Sequence, residues 1–169
     1  MKKNSQLDSN MLKTLPSSVM WTGLLLVIVL SPGCGLGTYC AKMFTWDITI
    51  YVQSSPDANE NSAVQLDFIL PYSKEAEAAV VKLTAAQWLA YSSQFQRDFT
   101  EGTDFGLWSY QLVPGMDVPP IQIPLAMSSR VLVVFAGYQT KGPHRYLSST
   151  WNDLNIRLER KDFSVAEAS

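Results

Sequence analysis

From Phe44 onward the chain alternates with period two. Phe44, Trp46, Ile48, Ile50 and Val52 fall on one side and Thr45, Asp47, Thr49, Tyr51 and Gln53 on the other, which predicts a half-buried β-strand. Ser54–Ser62 is polar and dense in turn formers (Ser55, Pro56, Asp57, Asn59, Asn61), and reads as an exposed loop. Val64, Leu66, Phe68 and Leu70 then alternate with Gln65, Asp67 and Ile69, giving a second strand closed by Pro71. Further on, Leu107–Val113 and the alternating Ile121, Ile123 and Leu125 predict two more strands. Val131–Ala136 is a continuous apolar run, as expected of a strand buried on both faces. A last strand passes through Leu154, Ile156 and Leu158 after the chain turns at Gly137–Gly142.

The period changes between the second and third strands. Lys74–Leu83 is rich in Ala, Glu and Lys, which favours a short helix. Thr84-Ala85-Ala86-Gln87 matches a capping box and opens a second helix, with Trp88, Tyr91, Phe95 and Phe99 on one stripe. Such a stripe packs on a sheet. The sum is a mostly β chain of six or seven strands, a β-sandwich with a helical insertion after the second strand.

The start of the chain has a different character. An eleven-residue apolar run, Met20–Leu30, is about half the roughly 20 residues that a membrane span needs, and Pro32 and Gly33 end it. Behind Lys2, Lys3 and Lys13 it reads as a secretory signal; Met11 offers an alternative start that keeps only Lys13. Gly33-Cys34 fits the end of a bacterial lipobox, although Ser31 stands where Leu, Val or Ile is usual. The expected organisation is a signal peptide at 1–33, a lipidated tether at 34–43 and a sandwich domain at 44–169. An ordinary signal peptide and an uncleaved anchor are the alternatives. Lipid chains gain about 0.8 kcal/mol per buried CH₂, and stable anchoring needs more than one chain. Gly35 follows the cysteine where Asp would favour inner-membrane retention, so the outer membrane, on its periplasmic side, is the expected address. Cys40 is the other cysteine, read as a small buried thiol; a Cys34–Cys40 bridge is open to it if Cys34 is not acylated.

Composition removes several function classes. The leader holds three of the 13 Lys/Arg and one of the 15 Asp/Glu, so residues 34–169 are net acidic, with no basic cluster to hold nucleic acid. His144 is the single histidine, and beside Arg145 after a turn it reads as a solvated loop residue. There is no Gly-x-Ser-x-Gly elbow, no phosphate-cradling glycine loop and no zinc-type spacing. Glu75 and Glu77 sit on an Ala/Lys-rich helix as a solvated face. The chain therefore reads as a non-enzyme with no metal and no cofactor.

The order of features resembles a known family. It runs from a lipobox through a strand, an Asn-containing loop, a strand ending in Leu70-Pro71-Tyr72 and a helix pair. A strand into Leu112-Val113-Pro114-Gly115 comes next, and then Val133-Val134-Phe135-Ala136-Gly137-Tyr138 with Arg145 beyond. This looks like the TssJ family, the outer-membrane lipoproteins of type VI secretion, over roughly residues 34–160. The resemblance implies a transthyretin-like β-sandwich with an added helical element, and covalent diacylglycerol and N-acyl lipid on Cys34. It also implies a partner, the periplasmic part of the inner-membrane component TssM, contacted by the loop between the first two strands. The matching positions are Ser55, Pro56, Asp57, Asn59, Glu60 and Asn61. Ser55-Pro56-Asp57 replaces the family's usual Asn-Pro pair, and the Thr84–Phe99 helix is longer and more aromatic than the family pattern.

A second reading stays open at this point: a lipoprotein module that binds a small molecule, glycan or cell-wall component through Trp108, Tyr110 or Trp151. Trp108 and Tyr110 share a face with Leu112, which favours a core role for both. An exposed aromatic row would support this reading, and a buried row with an acidic exposed loop would support the scaffold.

Overall fold

A computed structural model describes residues 46–168. The expected signal peptide and tether, with Cys34, Cys40 and Phe44, lie outside the described residues. The chain order is β1 (Trp46–Ser54), β2 (Val64–Pro71), α1 (Lys74–Val80), α2 (Ala85–Asp98), β3 (Phe105–Leu112), β4 (Ile121–Leu125), β5 (Leu132–Ala136), β6 (Arg145–Ser148), β7 (Leu154–Leu158) and β8 (Phe163–Glu167). Two four-stranded sheets form, ordered β4-β1-β7-β8 and β3-β2-β5-β6. Every pairing is antiparallel except β1 with β7.

Alternation sets the register of the first sheet. Ile48 and Ile50 lie opposite Ile123 and Ile121, and Val52 lies opposite Ile156, so all these side chains reach the same face. They meet Leu66, Phe68, Leu70, Leu112, Leu132 and Val134 from the second sheet in one continuous core. Pro124 stands in β4, an edge strand, where a missing N–H is tolerated. Trp46 keeps the phase of Ile48 but is 74 % exposed, although its cross-strand partner Leu125 is buried.

The second sheet is covered on its outer face as well. Ile69, Val133 and Phe135 pack there against Ala76, Val80, Ala85, Trp88 and Phe95 of the two helices. This corrects the simple alternation expected for β2, in which Asp67 and Ile69 lie opposite the core face; both are buried under the helical layer. The helices start where their caps stand. Ser73 Oγ accepts from the Ala76 N–H at 3.2 Å. Thr84 Oγ1 accepts from the Gln87 N–H at 3.3 Å while Gln87 Oε1 accepts from the Thr84 N–H at 2.9 Å. Trp88 stacks on Phe135 at 5.5 Å and meets Phe95 edge-on at 5.3 Å. Its indole N–H donates to Asp67 Oδ2 at 2.7 Å, which satisfies a buried carboxylate and pins α2 to the sheet. Arg145 Nη1 donates to the carbonyls of Val81 and Leu83 at 2.6 and 3.0 Å, closing the end of α1.

Two strands carry no periodic signal in the sequence. Arg145–Ser148 is four residues without alternation, defined only by its pairing with β5. Phe163–Glu167 is a mostly exposed edge strand against β7. The sandwich therefore has eight strands instead of the expected six or seven, with the helical insertion after the second strand as expected.

Candidate functional site

The loop after β1 is closed by a left-handed turn. Asn59, Glu60 and Asn61 have φ of 47°, 53° and 65° in succession. L-residues reach this region at a cost of about 1–2 kcal/mol each, with Asn the most tolerant non-glycine residue. Three in a row persist only if the surroundings hold them. Here the Asn59 and Glu60 N–H groups donate to the carbonyls of Glu159 and Arg160, both at 3.1 Å. Those carbonyls belong to the turn between β7 and β8.

Asn59 is the hub of this end of the molecule. It is 2 % exposed. Its Nδ2 donates to the Ala63 carbonyl at 2.9 Å and to the Gly137 carbonyl at 3.4 Å, and its Oδ1 accepts from the Gln139 N–H at 2.8 Å. The β1–β2 loop is thereby tied to the β5–β6 loop. Gln139 Nε2 adds a bond to Ser62 Oγ at 2.8 Å. Ser55 does the same on the other side: its N–H donates to the Leu158 carbonyl at 3.0 Å, and its carbonyl accepts from Ala58 and Gly115. Gly115 has φ +73°, which explains why the Pro114-Gly115 turn carries a glycine.

His144 belongs to the same cluster and is not a solvated loop residue. It is buried, with Nδ1 2.8 Å from Asp162 Oδ1 and Nε2 2.8 Å from the Thr140 carbonyl. The Tyr138 ring stacks over it at 5.1 Å. The β7–β8 turn folds across the imidazole, so a residue that is isolated in sequence is enclosed in space. Burial raises the Tyr138 phenol well above its ordinary pKa, and its oxygen accepts from the Glu159 N–H at 3.1 Å.

The six loop positions thus divide. Asn59 is buried and Ser55 is half-buried, and both hold other chain segments. Pro56, Asp57, Glu60 and Asn61 stand exposed at the surface. The reading of the loop as wholly exposed is corrected at Ala58 and Asn59, whose burial goes with the handedness of the turn. The aromatics of the second reading are not an exposed row. Trp108 and Tyr110 are half-buried against the main core, while Trp151 stands apart at the opposite end of the sandwich. Among the described residues no group of three or more His, Cys, Asp or Glu side chains is arranged to hold a metal. No helix among them is long and apolar enough to cross a membrane.

Two sheets with one helical layer over β2 and β5 define a TssJ-like sandwich fold. Two solved structures carry the likeness. The type VI secretion lipoprotein TssJ1 from Pseudomonas aeruginosa superposes with a TM-score of 0.56 at 15 % identity, covering 75 % of this chain and 98 % of that one. Lip from Serratia marcescens, a membrane-bound component of the type VI secretion system, gives 0.54 at 10 % identity, covering 73 % and 98 %. At such identities the likeness is one of fold. No protein-family model matches the sequence. No curated protein matches it either.

Proposed function

We propose that this chain is a non-catalytic, lipid-anchored subunit of a type VI secretion membrane complex. In this reading Cys34 carries diacylglycerol and N-acyl chains that hold the protein on the periplasmic face of the outer membrane. The sandwich then binds the periplasmic domain of a TssM-like inner-membrane protein through Pro56, Asp57, Glu60 and Asn61. The observation that carries the reading is the left-handed turn at Asn59–Asn61, held by bonds to two other loops. Strain fixed in this way presents a few polar side chains in one geometry, which a protein interface uses and a solvated connection does not need. The fold likeness to two type VI secretion proteins supports the assignment.

The test is a pull-down from detergent-solubilised envelopes with the tagged full-length protein, identifying partners by mass. Cys34→Ser and the triple variant Asp57→Ala/Glu60→Ala/Asn61→Ala run in parallel. Recovery of a large inner-membrane secretion component, lost with the triple variant, is the expected result, together with displacement of Cys34→Ser from the outer membrane. Recovery of no protein partner, with Cys34→Ser unchanged in location, overturns both the anchor and the assembly role.

A further inference from the structure

The end of the sandwich opposite the polar loops carries an apolar groove. β1 begins there at Trp46, β4 finishes there at Leu125, and the loops preceding β5 and β7 cross it. Trp46 is 74 % exposed, Met127 91 % and Trp151 38 %. Together with Leu125, Ala126 and Ser129 they line one open groove of about 180 Å³. Single exposed apolar residues need no explanation, but two tryptophans and a methionine around one groove do. A buried polar group lies beneath it. Ser129 is 8 % exposed, lines the groove, and its Oγ has no hydrogen-bond partner among the described residues.

The place of this groove in the chain selects its occupant. Cys34 lies only twelve residues before Trp46. At about 3.3–3.6 Å per residue those twelve steps span at most about 40 Å, so a lipid on Cys34 keeps this end of the sandwich near the bilayer. Trp is enriched at the membrane–water boundary, where its ring lies among headgroups and upper acyl chains. The charges nearby do not act as a basic patch, because Arg130 is accompanied by exposed Asp47 and Glu167. An anionic surface is therefore not what this end is built to meet.

We infer that the Trp46–Met127–Trp151 groove docks the sandwich onto the interface of a zwitterionic phospholipid bilayer. This rests on the lipid-anchor reading above and adds an oriented contact to it. The tether alone holds the protein near the membrane; the groove fixes which end faces it.

The experiment uses the full-length protein purified from envelopes and reconstituted in phosphatidylcholine vesicles, with acyl chains either unmodified or brominated close to the glycerol. Flotation and tryptophan emission are both read. The expected result is flotation with quenched emission, the quenched share lost in Trp46→Phe/Trp151→Phe and unchanged by raising salt. Met127→Asp floats with little quenching. Flotation without quenching overturns the docking and leaves the anchor standing. Failure to float overturns the anchor and the docking with it. Absent quenching, together with a Met127→Asp protein that no longer recovers the secretion partner, would assign the groove to a protein contact and overturn the lipid assignment.

Discussion

The two ends of the sandwich are joined by one strand and built on opposite terms. Where β1 finishes, four loops are locked by directional bonds: Asn59 to Ala63, Gly137 and Gln139, Ser55 to Leu158 and Gly115, and His144 to Thr140 and Asp162. Where β1 begins, Trp46, Met127 and Trp151 stand out with much of their apolar surface uncovered. Directional recognition needs fixed geometry, so the loop end uses strained backbone and satisfied polar groups. On the docking inferred above, contact with a fluid apolar layer needs area and no register, for which side chains alone suffice at the other end.

That contrast is most directly broken at Asn59. Asn59→Ala removes three hydrogen bonds and places a less tolerant residue at φ +47°, with an expected loss of about 3 kcal/mol. The check is the urea midpoint at unchanged slope. Asn59→Gly restores the backbone freedom without the bonds and recovers about 1 kcal/mol of that loss. Gly115→Ala comes next. A Cβ there meets nothing closer than the Pro56 Cα at 3.7 Å, so the cost is conformational only, about 1 kcal/mol in the same assay.

Acid sharpens the comparison from the apolar end. Glu167 accepts from Thr150 and Asn152, which holds its carboxyl below the ordinary value of 4.5. A depressed carboxylate contributes stability above the unfolded value, and that contribution disappears as pH falls through the lower folded one. The melting temperature should therefore fall slightly more between pH 5 and pH 3 (roughly the window of such a carboxylate) in the native protein than in Glu167→Gln. An equal fall in both would show that these bonds do not matter to folding. The smallest effect belongs to Trp46→Ala and Met127→Ala, which should each change the urea midpoint by less than about 0.5 kcal/mol equivalent. A larger loss would mean that these side chains serve the fold rather than a surface.

The strands that alternate cleanly were legible in the sequence: the buried and exposed positions of β1, β4 and β7 follow from period two, Trp46 at the start of β1 excepted. So were both helices, the first from its Ala/Glu/Lys-rich run and the second from its capping box and the Trp88–Phe95 stripe, all local signals. What failed depended on distant chain. Asp67 is polar in an alternating strand, and its burial is made tolerable by donors that include two distant in the chain, the indole of Trp88, 21 residues on, and the hydroxyl of Ser109, 42 residues on. β6 exists because β5 supplies its bonds, and β8 because β7 does. His144 gives no local sign of burial, since the turn that encloses it lies 18 residues away at Asp162. The Asn-rich composition of the β1–β2 loop did carry a hint of left-handed backbone. It did not reveal that Asn59 would turn inward while Asp57 and Glu60 turned outward.

The parallel pairing of β1 with β7 has a mechanical meaning. β1 lies between two neighbours, antiparallel β4 along Trp46–Ile50 and parallel β7 along Ile50–Ser54, and the two ladders overlap only at Ile50. Tension applied along β1 from its two ends would load both ladders in shear, and many backbone bonds would have to yield together instead of unzipping one by one. On the proposed function, a chain held by a lipid before β1 and pulled at its loop end would thus carry the force through a central strand of its sheet, and the sandwich would act as a stiff link between two membranes.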